Sequence, residues 1–353
     1  MKATQAIKVF KISEPHKEAK QKDEREIDTG TLPEVEEILR GIKYFSVPSG
    51  VYVSDKENLD ERIRRDLESR IDNIPQVSID SMRLLRLLLN PESNLREIVS
   101  LVMTHPVLSA KILQAVNSVY FHLPEKVTSV GRAITLLGYN NVRSILFHDI
   151  LKNTVANKSQ AESERYLKTW IHSAVVSACA GLLSKRFFPN REYDIATAGL
   201  MHDIGKFYFM GLERQIGEKG QLENEFEERG LSSILEEDKI YGVNHAVVGS
   251  YIARHWKLPE FIVKGIEYHH YPSLYPPEKI PNPYVTQSFI LCLADLLSKA
   301  LGYEGESEKI LAILPEYYER YGLDPELKGL VTPEILKGME KAKATVQSYV
   351  KVT

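Results

Sequence analysis

The sequence has few cysteines and lacks the short motifs of several common enzyme classes. Of its 353 residues only two, Cys179 and Cys292, are cysteines, and each lies in an apolar helical pattern, which fits buried thiols in a reducing compartment better than a disulfide framework. The sequence has no Gly-rich phosphate loop, no GxSxG motif and no CxxC pair. The chemistry of this protein therefore has to be carried by other residues.

The sequence also lacks a charge excess and a long apolar run. Its 45 Lys and Arg residues against 48 Asp and Glu residues leave a formal net charge of -3, so no general basic field attracts nucleic acid or an anionic membrane. No stretch approaches the roughly 20 apolar residues of a membrane span, and the N-terminal residues lack the apolar core of a signal peptide. We expect a cytoplasmic protein with neither a membrane nor a nucleic acid as partner.

What the sequence does have is helical periodicity. From Leu59 onward, apolar residues recur at a spacing of 3.6 between breaks at Pro, Gly and Asn, and strand-like alternation is scarce. This pattern predicts an all-α fold. Residues 11–28 are mostly charged and carry few apolar anchors, which indicates a mobile arm or an exposed helix.

Histidines and carboxylates interrupt the apolar faces of these predicted helices. His172 is followed at helical spacing by Val175 and Cys179, and His245 follows Asn244, a plausible N-cap residue. Pro272 is expected to end the helix that carries the double histidine. The inward-facing polar residues are His172, His202, Asp203, His245, His269, His270 and Asp295.

Each of these residues has an ordinary structural explanation. A single histidine on an apolar face is most often a hydrogen-bonded core residue. Asp295 could be neutralised by a nearby Lys or Arg as readily as by a metal, and Asp203 could cap a helix end. Lys206, which follows in the segment HDIGK, could be a surface lysine at a helix C-terminus or a group that neutralises developing charge on a phosphoryl group.

The accumulation of these residues favours a shared metal site over separate explanations. In a helical bundle, each inward face can contribute one or two ligands to a common interior. Neighbouring His and Asp side chains diverge by about 100° on a helix, so His202 and Asp203 could serve two different ions. Imidazoles mixed with carboxylates favour two divalent transition-metal ions, iron or manganese, with nickel, cobalt and zinc as alternatives.

These residues carry a family resemblance. The order of His172, the HDIGK segment at 202–206 and Asp295 resembles the HD-domain superfamily of metal-dependent phosphohydrolases, and His245, His269 and His270 resemble the extra ligands of its two-metal HD-GYP branch. Upstream, residues 74–121 and 127–146 resemble the HDOD domain, a bacterial signalling module related to HD-GYP.

The resemblance implies a domain organisation and a site. The expected fold is an N-terminal extension over 1–69, partly mobile, then an N-terminal helical half over 70–155 and a metal-binding HD-type half over 156–345. All seven inward-facing residues would bind metal, with Asp203 and Lys206 as catalytic residues. Lys168 stands where HD-GYP enzymes have a glutamate, which argues against a third metal.

Two functions follow from the resemblance. The first is a bacterial signal-transduction protein with an intact metal site that acts as a phosphohydrolase or phosphodiesterase on a nucleotide or cyclic dinucleotide. The second is a catalytically silent signalling module, with a structural or regulatory metal site, that binds a signalling protein or forms a homodimer. The segment after His270, YPSLYPPEKIP, departs from the HD-GYP pattern that helps to bind cyclic di-GMP.

Overall fold

The structure, a computed structural model, describes part of the chain: residues 35, 37, 39, 53–72, 79–90, 92–151, 160–216, 233–303, 312–324 and 326–350. Within these ranges the secondary structure consists of helices and their connections, without a strand. The prediction of an all-α fold is confirmed. The charged stretch 11–28 lies outside the described residues.

The helices before the metal-ligand candidates are short. They are α1 (Glu61–Ile71), α2 (Ile79–Leu89), α3 (Leu95–Met103), α4 (Pro106–Val116), α5 (Val130–Leu137) and α6 (Tyr139–Leu151), with a 3-10 turn at Val119–Phe121. Polar caps fix several of their first turns. The Asn94 side chain accepts a hydrogen bond from the Arg96 backbone N–H, and the Ser129 side chain accepts one from the Arg132 N–H, which satisfies donors that a helix start leaves without a partner.

The second series begins with the longest described helix. These helices are α7 (Gln160–Phe187), α8 (Glu192–Met201), α9 (Ile204–Ile216), α10 (Ser233–Tyr241), α11 (His245–His255), α12 (Glu260–Tyr268), α13 (Tyr271–Leu274), α14 (Val285–Ala300), α15 (Pro315–Tyr321) and α16 (Pro333–Tyr349), with 3-10 turns at Pro277–Lys279 and Asn282–Tyr284. Asn244 caps α11 as predicted, because its side chain accepts from two backbone N–H groups. Pro272 does not end the histidine-bearing helix. That helix ends at Tyr268, and Pro272 lies in the first turn of α13, where a missing N–H costs nothing.

Helix α7 forms the centre of the packing. It lies against α8, α14 and α16, and α16 also contacts α4 and α6. One continuous apolar cluster contains buried side chains of both series, and Ile234 and Leu235 of α10 form a smaller cluster with Val53. At the junction, Trp170 Nε1–H donates to the Tyr349 hydroxyl at 3.0 Å, and the Ser144 hydroxyl lies 2.8 Å from the same oxygen. The boundary expected near residue 155 falls in 152–159, outside the described residues.

Part of the N-terminal extension packs on the second series of helices. Helix α1 contacts α11, and the Ser54 backbone N–H donates to the Asp238 carboxylate at 2.9 Å. The Asn244 side-chain amide donates to the Ser54 carbonyl at 2.8 Å. This segment is therefore attached where α10 ends and α11 begins.

No single helix among the described residues has both the length and the hydropathy of a membrane span. Helices α3 and α4 reach these values only when they are taken together, and the chain bends by 117° between them.

Gly205 allows a close approach between α9 and α11. A Cβ atom at this position would lie 2.8 Å from both the Cα and the carbonyl carbon of His245, and closer still to its carbonyl oxygen. Backbone atoms cannot yield as a side-chain end can, so only glycine permits this spacing. The contact places the HDIGK segment beside His245.

We expect Gly205→Ala to lower the free energy of unfolding by about 1–3 kcal/mol, because the added methyl overlaps backbone. Urea denaturation followed by circular dichroism measures the change. Gly131→Ala is the matched control: its Cβ would meet Val99 Cγ2 at 3.4 Å, and alanine is favoured over glycine in a helix by about 1 kcal/mol. Equal effects of the two substitutions would contradict the prediction.

Candidate metal centre

The junction between α8 and α9 carries the central pair of residues. Helix α8 ends at Met201, His202 follows as its C-cap, and α9 begins at Ile204, so Asp203 lies between the two helices. Asp203 is buried, with a relative exposure of 1% for the residue. Its two oxygens face two different groups of imidazoles.

The first group consists of side chains from α7, the α8–α9 junction and α14. His172 Nε2 lies 3.3 Å from His202 Nε2 and 3.0 Å from Asp295 Oδ1. Asp203 Oδ2 lies 3.3 Å from His202 Nε2 and 3.6 Å from His172 Nε2. Three buried ligand atoms, from His172, His202 and Asp203, fall within 4.8 Å of one another.

The second group is formed by the start of α11 and the end of α12. His245 Nε2 lies 2.9 Å from His270 Nε2 and 3.3 Å from His269 Nε2. Asp203 Oδ1 lies 3.2 Å from His245 Nε2 and 4.0 Å from His269 Nε2. The fold thus brings together all seven residues that the sequence singled out, in two groups that share Asp203.

Two of the histidines are oriented by backbone carbonyls. His202 Nδ1 lies 2.7 Å from the Gly199 carbonyl oxygen, and His269 Nδ1 lies 2.7 Å from the Ile266 carbonyl oxygen. A carbonyl can only accept, so each Nδ1 carries the proton and each Nε2 presents a lone pair to the centre. Both acceptors lie three residues earlier, in the last turn of the preceding helix, where carbonyls have no helical partner.

Two other histidines are oriented by side chains. His172 Nδ1 lies 3.1 Å from the Ser298 hydroxyl on α14. His245 Nδ1 lies 2.6 Å from Glu237 Oε2 on α10, and the same carboxylate oxygen accepts from the His245 backbone N–H at 2.7 Å. Partners of this kind fix the ring orientation of histidines that ligate metals.

The donor set fits cations. Asp203 Oδ2 and Asp295 Oδ1 are buried and form no hydrogen bond of good geometry. Imidazole nitrogens lie within 3.0 to 3.8 Å of them, and the Lys206 ammonium lies 3.0 Å from Asp203 Oδ2. Imidazole nitrogens and carboxylate oxygens of several helices therefore converge on common positions in the interior. Such an arrangement is costly alone and is relieved by a bound cation.

Two lysines complete the charge balance. Lys206 Nζ lies 3.0 Å from Asp203 Oδ2, and Lys299 Nζ lies 3.1 Å from Asp295 Oδ2. Lys206 is 8% exposed and belongs to the first turn of α9, so its interpretation as a surface lysine at a helix C-terminus is wrong. The sequence left two explanations open for Asp295, a neighbouring Lys or Arg and a shared metal site. One of its oxygens faces the Lys299 ammonium, and the other faces histidines of the candidate centre.

The carboxylates of the site are ionised in spite of their burial. Burial raises the pKa of Asp203, but electrostatic interaction with the neighbouring imidazoles, His202 first, and with the Lys206 ammonium outweighs it and holds this pKa well below its usual range. For Asp295, burial acts in the same direction, and Lys299 with the histidines again holds the pKa well below the usual range. Ionised carboxylates are the form that binds metals.

The imidazoles of the second group differ from one another. Burial, reinforced by neighbouring imidazoles, lowers the pKa of His269 and of His270 well below the ordinary histidine value. Burial also lowers the pKa of His245, but Glu237 and Asp203 outweigh it and the net pKa is raised. The first two rings are therefore neutral near pH 7, as ligation requires.

Sequence reasoning missed three residues of the site: Glu237, Ser298 and Lys299. Lys299 follows Asp295 by one helical turn, and this spacing was available as a signal. Ser298 and Glu237 contact histidines on other helices. No spacing in the local sequence indicates such contacts. Lys168 is exposed on α7.

Comparison with known proteins identifies the family of this chain. The model of the HDOD domain matches residues 74–272, and the chain belongs to the HDOD family. The match includes six of the seven candidate ligands. Asp295 lies beyond the matched range, on a helix that packs against α7.

Several proteins resemble this chain at low identity. A Geobacter sulfurreducens HDOD protein of unknown function is 22% identical, with a TM-score of 0.59 over 81% of this chain and 96% of its own. A candidate phosphohydrolase of Shewanella amazonensis is 18% identical, with a TM-score of 0.55 over 80% of this chain and 97% of its own. These likenesses establish a shared fold.

A curated relative is longer than this chain. An uncharacterized protein of Treponema pallidum is 23% identical over 237 residues, which are 65% of this chain and 44% of that protein. The chain thus matches less than half the length of this relative.

The shared position of Asp203 predicts how metal content responds to substitution. We expect about two ions per chain in the wild type, near one in His172→Ala or His270→Ala, and near zero in Asp203→Ala, since removing a ligand costs most where it serves both groups. Elemental analysis of anaerobically purified protein measures the stoichiometry. Equal losses in all three variants would argue against two groups joined by Asp203.

Proposed function

We propose that this HDOD protein holds two divalent transition-metal ions and hydrolyses a phosphoester, with a nucleotide or cyclic dinucleotide as the substrate class. The observation that carries the proposal is the geometry of Asp203. Its Oδ2 faces His172 and His202, and its Oδ1 faces His245. A carboxylate with its two oxygens divided between two imidazole groups suits a bridging ligand in a two-metal site.

The chemistry of such a centre suits phosphoester cleavage. When bound, two metal ions activate water near neutral pH and stabilise the attacking and leaving oxygens of an in-line displacement. His172, His202, Asp203 and Asp295 would hold one ion, and Asp203 with the three histidines of the second group would hold the other. The surrounding apolar core excludes bulk water, which strengthens every electrostatic interaction at the site.

The charges of the protein's own residues favour an anionic substrate once the ions are present. The side chains at the centre include three negatively charged carboxylates and two positively charged ammonium groups. The carboxylates belong to Asp203, Asp295 and Glu237, and the ammonium groups belong to Lys206 and Lys299. When the imidazoles are neutral, these five groups together carry a single net negative charge. Two divalent cations reverse this sign and make the centre attractive to a phosphate.

Lys206 is the residue best placed to act on the phosphoryl group. Its ammonium lies at the shared carboxylate, and its side chain retains 10% exposure while Asp203 retains 2%. The Lys206 side chain is therefore the more accessible partner of this ion pair. It neutralises charge that develops on the phosphoryl oxygens.

The alternative is a catalytically silent signalling module in which the metals are structural or regulatory. The observation that favours it is the enclosure of the ligands, since His172, His202, His245 and His269 are at most 1% exposed. A partner protein or a second copy of the chain would then bind in a way that depends on the conformation of the helices.

Hydrolysis of bis-(4-nitrophenyl) phosphate and of cyclic dinucleotides by the metal-loaded protein tests the proposal. We expect turnover in the wild type and its loss in Asp203→Ala. We expect Lys206→Met to lower kcat by about 10²-fold, as removal of one charge-stabilising group does, while metal content is retained. Lys185→Met is the control, because Lys185 is exposed and pairs with Glu334. A fully loaded but inert wild type would refute the hydrolase and support the module.

A further inference from the structure

Glu237 contacts the candidate centre through His245. It lies on α10, is 8% exposed, and contacts His245 through a single oxygen, Oε2. This oxygen accepts from the His245 backbone N–H at 2.7 Å and lies 2.6 Å from His245 Nδ1. One atom thus fixes both the main chain and the ring of the same residue.

The contact determines which ring nitrogen faces the centre. A carboxylate is an acceptor, so Nδ1 of His245 carries a proton toward Glu237, and Nε2 is directed at His270, His269 and Asp203. Without this partner, rotation of the ring about its Cβ–Cγ bond would direct Nε2 away from the other donors. The carboxylate also increases the basicity of the ring that it holds.

Glu237 is itself held in place by its neighbour in sequence. The Asp238 carboxylate accepts from the Ser54 backbone N–H at 2.9 Å and from the Asn244 side-chain amide at 3.2 Å, and Ser54 Oγ donates to it as well. Asn244 caps α11 at its first turn. Helix α10 is therefore fastened to the start of α11 one residue away from Glu237, which limits its displacement from His245.

We propose that Glu237 is a positioning residue for the second metal position: through His245 it sets the affinity of the group formed by His245, His269 and His270. This inference rests on the proposed two-metal function. The first position depends on other partners, because His172 contacts Ser298 and His202 contacts a backbone carbonyl. Loss of Glu237 therefore acts on one position and leaves the other.

Calorimetric titration of the metal-free protein with Mn²⁺ measures the two positions as separate binding steps, which are assigned with His172→Ala and His270→Ala. Removal of such a partner typically weakens metal binding by about 10- to 100-fold. We expect this loss at the second step in Glu237→Ala, a smaller loss in Glu237→Gln, and an unchanged first step in both. Glu334→Gln is the control, because it removes an exposed carboxylate with a 67% exposed side chain.

A purely structural role for Glu237, as an acceptor for the first N–H of α11, gives a different result. The Glu237→Gln amide oxygen still accepts from the backbone N–H, so this variant would then match the wild type in both binding steps. The visible absorption of the Co²⁺-loaded protein supplies a second readout, because it responds to changes in ligand geometry. We expect an altered spectrum for Glu237→Gln. Glu237→Gln alone decides the question if Glu237→Ala does not fold.

The two proposals fail separately. If the wild type binds no Mn²⁺, the two-metal function is overturned. If the wild type binds two Mn²⁺ ions and Glu237→Gln keeps the wild-type affinity and the wild-type Co²⁺ spectrum, the function stands and the positioning role of Glu237 is overturned.

Discussion

The repulsion between buried lone pairs is the constraint on which the site depends. In the second group, imidazole nitrogens face each other at 2.9 and 3.3 Å, and the Nδ1 atoms of His245 and His269 are already engaged with acceptors. Two lone pairs at this distance require a proton or a cation between them. Burial and neighbouring positive charge disfavour the imidazolium form of His269 and His270. The arrangement therefore suits the divalent cations of the proposed function.

The helical fold brings the residues of the site together from helix ends as well as from helix faces. His202 and His269 each follow the last residue of a helix, and His245 is the first residue of another. Side chains at helix ends reach positions that the interior of a straight helix cannot supply. Gly205 permits the backbone approach that places Asp203 and His245 side by side. Only His172 and Asp295 act from within helices.

The fold class and the set of polar residues that the fold brings together could be predicted because both depend on patterns in the local sequence. Helical periodicity and inward-facing polar residues are properties of single helices, and the HDIGK segment is a recognisable motif. The division into two groups could not be derived from spacing, since His172 and Asp295 lie on different helices and meet only through tertiary packing. Lys206 was ambiguous for a related reason: its burial depends on how α9 packs. Glu237 was missed because its partner lies on a separate helix.

The acceptors of the histidine Nδ1 protons differ in how they can change during evolution. His202 and His269 donate to carbonyls of the main chain, and no replacement of a neighbouring side chain removes a carbonyl. His172 and His245 depend on Ser298 and Glu237, which a single codon change can replace. Each group therefore contains one candidate ligand whose acceptor is a main-chain carbonyl and one whose acceptor is a side chain that mutation can replace. Natural variants of this fold can retune the two halves of the centre independently without altering a ligand.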